Sequence, residues 1–451
     1  MIKWQYLIIL LVIFNFILYL IRTRRSKGIV LDLWGLNHLT SWLWYFMIYP
    51  FADSFLNEVV VGQKAMSSIE KGLDTAFYVV CVGYIMLWVG KIFYDCIHNP
   101  KDDGRLLEIE RITYGVYSDK KSRIVFAILF APFILYTIYF GIFHFGSDIR
   151  MLLGVSPVLR PIMNMTMSIY PVIVTVLLLL YLQEQKKKWL YWGVGSILFS
   201  LFLSSRAVVF STIVNAFVLF SIYQGRKISM LKVGGFGVLA IIGIFGLSFL
   251  RAGNISNFNI YSMFYDLMYG NTFSDIRDFA WVIGSWDRNL LYGKTYMAGL
   301  LSFIPSAISD FRQEWAMGRF TLHTTGMYSE STFHGGLRCT IFGEPYFNFG
   351  IVGVMIIAFI YGYYTERINR NVIFYSKRGL FLKASAASTL GRILGCMMIS
   401  AGAFNIYLFF IPILFIYWIL KPNMLFIHLR ERIILSRNML IKIVRTGREA
   451  F

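Results

Sequence analysis

The chain has 451 residues, 57% of them hydrophobic and 18% aromatic against 15% charged, with a mean hydropathy of +0.62. A soluble domain carries about 25% charged residues, so this composition excludes a water-soluble globular protein. The net charge of +19 is that of many nucleic-acid binders. In so apolar a chain it reads instead as basic loops at a membrane surface, with no nucleic acid as partner.

Apolar blocks of about 18 to 24 residues, long enough for a helix to cross the hydrocarbon core, predict an all-α, polytopic transmembrane bundle of about eleven spans. In chain order these are 4–21, 38–56, 75–95, 124–145, 161–182, 189–204, 207–223, 233–250, 346–364, 384–402 and 404–420. No small-residue cleavage site follows the first block, so it reads as a span and not as a cleavable signal. Basic clusters follow alternate spans: Arg22 to Lys27, Lys101 to Arg123, Lys186 to Lys188, Arg226 to Lys232 and Arg367 to Arg378. The positive-inside rule makes those loops cytoplasmic, the N-terminus external and the C-terminus internal.

The chain then divides into spans one to eight (1–250), a long extracytoplasmic loop (251–344), spans nine to eleven (345–420) and a tail (421–451). The tail interleaves Arg430, Arg432, Arg437, Lys442 and Arg445 with Leu and Ile, as a basic amphipathic helix on the inner leaflet does. The long loop is nearly neutral and rich in aromatics, and stretches such as Ala298 to Ile308 predict short amphipathic helices at the membrane surface. A loop of this length is functional more often than it is a connector. Cys81, Cys96, Cys339 and Cys396 show no metal or disulfide spacing, and no internal repeat marks a two-halved transporter.

Arginines stand at the outward ends of several spans, where the positive-inside rule disfavours them. Arg150 and Arg160 flank the loop between spans four and five, Arg206 begins span seven and Arg251 closes span eight. Guanidinium forks bind phosphate bidentately, so the set reads as a pocket for a lipid pyrophosphate, with snorkelling to phospholipid as the plainer alternative. Arg392 lies near the middle of span ten, where a cation needs a polar cavity or a carboxylate. Glu344, just before Pro345, either caps the dipole of span nine or acts as a general base. His323 and His334 are rival bases with ordinary pKa values near neutrality. No D-x-D pair occurs, and Asp275 with Asp278 is a weak substitute, so metal-dependent chemistry is not expected.

The segment Gly343-Glu344-Pro345-Tyr346-Phe347-Asn348-Phe349-Gly350-Ile351-Val352-Gly353 resembles the opening of a late span in the Wzy-type oligosaccharide repeat-unit polymerases of bacterial surface polysaccharides. Ser302 to Ser306, Ser205-Arg206 and the layout of many spans around one large outer loop are similar to that family as well. The resemblance implies an inverting, metal-independent and cofactor-free glycosyltransferase of the bacterial cytoplasmic membrane. It would pass a growing glycan from undecaprenyl pyrophosphate to a newly flipped lipid-linked repeat unit, with a chain-length co-polymerase as a possible partner.

On that reading Arg206, Arg251, Arg288 and Arg338 meet the pyrophosphate charge, and Arg338 joins Glu344, His323 and His334 as a catalytic candidate. Arg150, Arg160, Arg392, Tyr346 and Asn348 complete the substrate-binding set, and Trp281, Trp286 and Trp315 stack on sugar rings. Arg288 with Gly299 fits an R-x10-G pattern of some members; the H-x10-G pattern is absent. An O-antigen ligase-like transferase and a lipid-linked oligosaccharide flippase are the alternative readings.

Overall fold

The computed structural model describes residues 4–52, 63–99, 103–143, 159–202, 206–229, 231, 235, 274–304, 308–327, 336–397 and 404–420, and among them there is no strand. In chain order the helices are α1 (Trp4–Lys27), then α2 (Leu33–Asn37), which passes through a π turn (His38–Trp42) into α3 (Leu43–Met47). Next come α4 (Gln63–Ile97), α5 (Glu108–Ser118), α6 (Lys120–Phe143), α7 (Leu159–Glu184), α8 (Lys187–Phe202) and α9 (Arg206–Gln224). The loop holds α10 (Asp275–Ser285), α11 (Lys294–Leu300), α12 (Asp310–Trp315) and α13 (Met317–Thr325), and the chain continues with α14 (Thr340–Lys377), α15 (Phe381–Met397) and α16 (Phe404–Leu420).

Predicted spans 4–21, 75–95, 161–182, 207–223, 346–364 and 404–420 each fall within one helix, and 124–145, 189–204 and 384–402 follow one as far as the described residues run. Span 38–56 instead covers the π turn, α3 and a 3-10 turn and not one continuous helix. Span 233–250, apart from Gly235, and the 421–451 tail lie outside the described residues. Among the described residues, Trp4–Lys27, Ala65–Ile97 and Thr340–Lys377 are the helices long and apolar enough to cross a membrane. The all-helical class is therefore seen, and the apolar helices are those of a membrane protein; a count of eleven crossings goes beyond them.

The faces of α1 show how such a helix is solved. Gln5, Ile9, Val12, Phe16 and Thr23 are buried at spacings of three, four and seven residues, while Leu7, Leu10, Leu11, Phe14, Ile17 and Leu18 stand exposed. The apolar side faces out and the polar groups face in, the reverse of a helix in water. Gln5 donates to Asp74 at 3.2 Å and Asn15 donates to the Tyr84 hydroxyl at 3.0 Å, both on α4. In hydrocarbon an unmet polar group costs several kcal/mol, so an inward polar stripe requires such partners.

At 35 residues α4 is about 52 Å long, beyond the roughly 30 Å of a hydrocarbon core, so part of it projects. Along it runs a series of small residues that admit other helices. A Cβ on Gly72 would lie 2.0 Å from the Ala280 carbonyl, and one on Gly284 would lie 1.7 Å from the Ser68 carbonyl. Ser68 and Gly72 thus meet Gly284 and Ala280 in an antiparallel small-residue crossing that seats α10 on α4. Further along, Gly90 meets Phe359 of α14 and Gly362 meets the Leu87 carbonyl, which clamps α14 to the same helix.

Helix α14 is two helices. Gly350 takes φ 65° and ψ −158°, backbone open essentially to glycine alone, and the chain folds sharply there. A Cβ on Gly353 would come 2.7 Å from the Pro345 carbonyl, so the two halves pack back on one another. The break frees the carbonyls of Phe347 and Asn348, and these accept instead from Leu291 N and Tyr292 N at 3.0 Å each. The loop before α11 is strapped to the corner by backbone bonds.

Candidate functional site

The segment from Gly343 to Gly353 builds this corner residue by residue. Gly343 lets Phe279 of α10 approach; a Cβ there would lie 3.0 Å from its ring. Asn348, fully buried, takes Gly293 N on Oδ1 at 2.9 Å and donates to the Thr295 hydroxyl at 2.7 Å and to the Glu344 carbonyl at 2.8 Å. Thr295 in turn donates to Glu344 Oε1 at 2.6 Å. Tyr346 stands edge-on to Trp286 and Phe279.

Two expectations are corrected here. The helix begins at Thr340, with Cys339 as its N-cap, so Glu344 is not in a first turn and does not cap the dipole. At 1% exposure its carboxylate also offers a sugar hydroxyl no access, which argues against Glu344 as the base. Trp281 is buried in the core and presents no face to a sugar, and Trp286, partly buried, stands edge-on to Phe347 at 5.1 Å between centroids. Trp315 carries the Lys294 ammonium 3.9 Å above its ring.

The charged groups of the loop gather one layer away, at the start of α10. Asp278 is saturated: Nε and Nη2 of Arg277 donate to its Oδ1 at 3.0 and 2.7 Å, Ser274 Oγ donates to Oδ2 at 3.0 Å, and Arg338 N approaches Oδ2 at 3.4 Å. The backbone leading into Arg338 is anchored at two consecutive residues. Leu337 N donates to the Thr321 hydroxyl of α13 at 2.9 Å, and Gly336 lies against the Gly318 backbone at a φ of 99°. From this anchored backbone the Arg338 guanidinium, 51% exposed, donates through Nη2 to Ser274 Oγ at 3.1 Å and sets Nε 3.4 Å from Asp275 Oδ1.

Asp275 differs from Asp278 one turn away. Its Oδ1 is buried without a hydrogen bond, although the side chain as a whole is 28% exposed. Burial pushes its carboxyl up to about 6, with Asp278 adding to the rise and Arg338 and Arg277 opposing it. Beside it, burial and the carboxylates of Asp278, Asp275 and Glu344 push the Cys339 thiol up, so three carboxylates surround one buried cysteine. The sequence offered little to separate Asp275 from its neighbours; its signal was the Asp275/Asp278 spacing, read there only as a poor metal pair.

The remaining candidates are dispersed. His323 is exposed on the last turn of α13, on a different helix from Asp275 and Glu344. Arg288 is exposed at a φ of 66°, three residues before Leu291, where the strap begins. Arg150, Arg251 and His334 lie outside the described residues, as do the side chains of Arg160, Arg206 and Arg392 on α7, α9 and α15. Among the described residues no group of three or more His, Cys, Asp or Glu could hold a metal ion.

A second polar cluster, not anticipated from sequence, lies toward the basic end of the bundle. Lys91 and Asp95 of α4 and Glu366 and Arg370 of α14 close a ring: Lys91 to Asp95 2.7 Å, Asp95 to Arg370 2.5 Å, Arg370 to Glu366 3.4 Å and Glu366 to Lys91 3.4 Å. Asn369 bridges it to buried Asp32, which caps α2 and accepts from Tyr19 at 2.8 Å. His38 is buried above, between the Trp34 carbonyl and the Tyr84 hydroxyl. A third feature is a small cavity of about 20 Å³, room for about one water, between α7, α9 and α15, lined by Thr175, Asn215, Ser385, Ser388 and Thr389 with Val172 and Leu219.

Compared with family models, with curated proteins and with solved structures, the chain matches none.

Proposed function

We propose that this chain is a multi-pass glycosyltransferase of the bacterial cytoplasmic membrane that polymerises undecaprenyl-pyrophosphate-linked oligosaccharide repeat units on the extracytoplasmic face. The observation that carries the reading is the pair of a half-exposed arginine and an incompletely bonded carboxyl, Arg338 and Asp275, anchored where the long loop meets the bundle. Glycosyl transfer from a pyrophosphate needs a base for the acceptor hydroxyl and positive charge near the reacting groups, and this site supplies both kinds. Basic clusters on alternate loops support an external position for the loop and about eleven crossings. The resemblance of 343–353 to repeat-unit polymerases, and the work each of its residues does in holding α10, α11 and α14 together, support the same assignment.

The flippase reading draws on a different observation, the small hydroxyl-lined cavity between α7, α9 and α15. Surface glycan separates the two. In cells depending on this chain, Arg338→Gln and Arg206→Gln are expected to shift surface glycan from long chains to single repeat units. A flippase loses the single repeats as well. Normal chain lengths in both variants would exclude the polymerase reading.

A further inference from the structure

We infer that Asp275 is the general base that takes the proton from the acceptor hydroxyl, and that Arg338 is its positioning residue, not a ligand of the leaving pyrophosphate. This assignment rests on the polymerase reading and deepens it.

Among the described residues four carboxylates are weighed for the site, and their bonding sorts them. Glu344 is sealed behind Thr295 and Asn348. Asp278 is saturated, with Oδ1 taken by Arg277 and Oδ2 by Ser274. Asp287 is exposed and occupied by Asn289, whose backbone N and Nδ2 donate to it at 3.0 and 2.6 Å. Asp275 alone of the four accepts no hydrogen bond; its Oδ1 is buried beside Arg338 Nε, so the lone pair it can present to a substrate lies on the partly exposed remainder of the carboxyl. A base must present an unoccupied lone pair to its substrate within about 2.6–3.2 Å, and of the four only this carboxyl has both the lone pair and an open side.

Position also divides the labour of the arginines. In an inverting displacement the nucleophile and the leaving group stand on opposite faces of the anomeric carbon. Arg338 Nε lies 3.4 Å from Asp275 Oδ1 and therefore sits on the base's side. Its charge favours the carboxylate over the carboxylic acid and its planar fork orients it, while the pyrophosphate falls to arginines elsewhere. The step balances simply. Asp275 accepts the acceptor's O–H proton, and that oxygen attacks C1 of the donor. The C1–O bond to pyrophosphate breaks, its electron pair leaves on the phosphate oxygen, and the proton passes from Asp275 to water.

The charged groups whose fields reach Asp275 are Arg338, arriving from the segment before α14, and Asp278 and Arg277 on its own helix. Tyr45 of α3 and Cys339 are the titratable groups facing it from the other elements. With burial set against Arg338, the carboxyl titrates at about 6. The polymerisation rate should therefore rise through that pH as the base loses its proton.

The test uses the full chain, purified and reconstituted with lipid-pyrophosphate-linked repeat units, and follows chain length against pH from 5 to 9. Wild type is expected to show an acid limb near pH 6. Asp275→Asn is expected to lose about 100-fold or more in rate at every pH. Removing the Arg338 charge should raise the base's pKa, so Arg338→Gln should move the acid limb upward by about 1–3 units, with activity returning at alkaline pH. A merely structural arginine would lower the rate without moving the limb. If wild type polymerises and Asp275→Asn keeps pace, the base is elsewhere and the polymerase reading stands. If wild type makes no long chains, both fall. If Asp275→Asn does not accumulate in the membrane, the Arg338→Gln profile decides alone, and an unmoved acid limb overturns the assignment.

Discussion

Around α4 the chain arranges its charges in two ways. Toward the basic end, Lys91, Asp95, Arg370 and Glu366 close on themselves, and each group meets two of opposite sign. At the loop end Asp278 is treated likewise, but Asp275, one turn away, keeps a single long contact to an arginine that is half in the open. A buried ion is tolerated only when partners surround it, so the closed ring is a clamp between α4 and α14. A catalytic carboxyl has the opposite requirement: one lone pair must stay unspent. The difference separates what holds the bundle from what can act on a substrate, and it says that removing an arginine should cost very different amounts at the two ends.

The largest effect is expected from Arg370→Met. It leaves the fully buried Glu366 and the partly exposed Asp95 to share Lys91, and because only Glu366 is buried the loss is about 3 kcal/mol, the lower end of the cost of breaking a buried pair. Arg338→Met, at a half-exposed pair, should cost no more than about 1 kcal/mol. The apparent melting temperature of the detergent-solubilised chain reads both; equal shifts would break the comparison. Thr295→Val falls between them. It keeps the shape but deletes the hydroxyl that joins Glu344 to Asn348, leaving a buried carboxylate oxygen short of a donor, for about 1–3 kcal/mol. Because Thr295 is not in the acting pair, chain length should survive where the protein remains folded. A variant that melts like wild type but makes only single repeats would return the catalytic role to Glu344.

The helices were legible because block length and hydrophobicity are local properties, and α1, α4 and α14 needed nothing more. The segment 343–353 was legible as unusual, but not for what it does. Pro345 drew the helix start toward itself, since proline favours a first turn; the helix starts at Thr340 because Cys339 and Gly343 pack against α10. Thr295, which ties up Glu344, stands 49 positions earlier, and Asn369, which bridges the ring to Asp32, stands 337 positions later. Nothing in a linear pattern announces such partners. Within the apolar block 4–21, Gln5, Asn15 and Tyr19 bond to Asp74, Tyr84 and Asp32, and those partners position the first helix. Asp275 was hardest to see, because its chemistry depends on which of its oxygens its neighbours leave unbonded.

The smallest effect tests that last point by its sign. Burial pushes the Asp275 carboxyl up to about 6, against about 3.9 in an unfolded chain. The folded protein then holds this proton more tightly than the unfolded one does. Its contribution to stability is full below about pH 4 and is lost as pH rises through about 6, the reverse of an ordinary ion-paired carboxylate. With the side chain partly open to solvent, the change is on the order of 1 kcal/mol. Melting wild type and Asp275→Asn side by side at pH 4.5 and pH 7.5 isolates it: the asparagine variant should gain on wild type at the higher pH. Wild type gaining instead would mean that Arg338 stabilises the ionised form more than burial opposes it. Asp275 would then be a paired carboxylate like Asp278, and both ends of α4 would be built to the closed pattern.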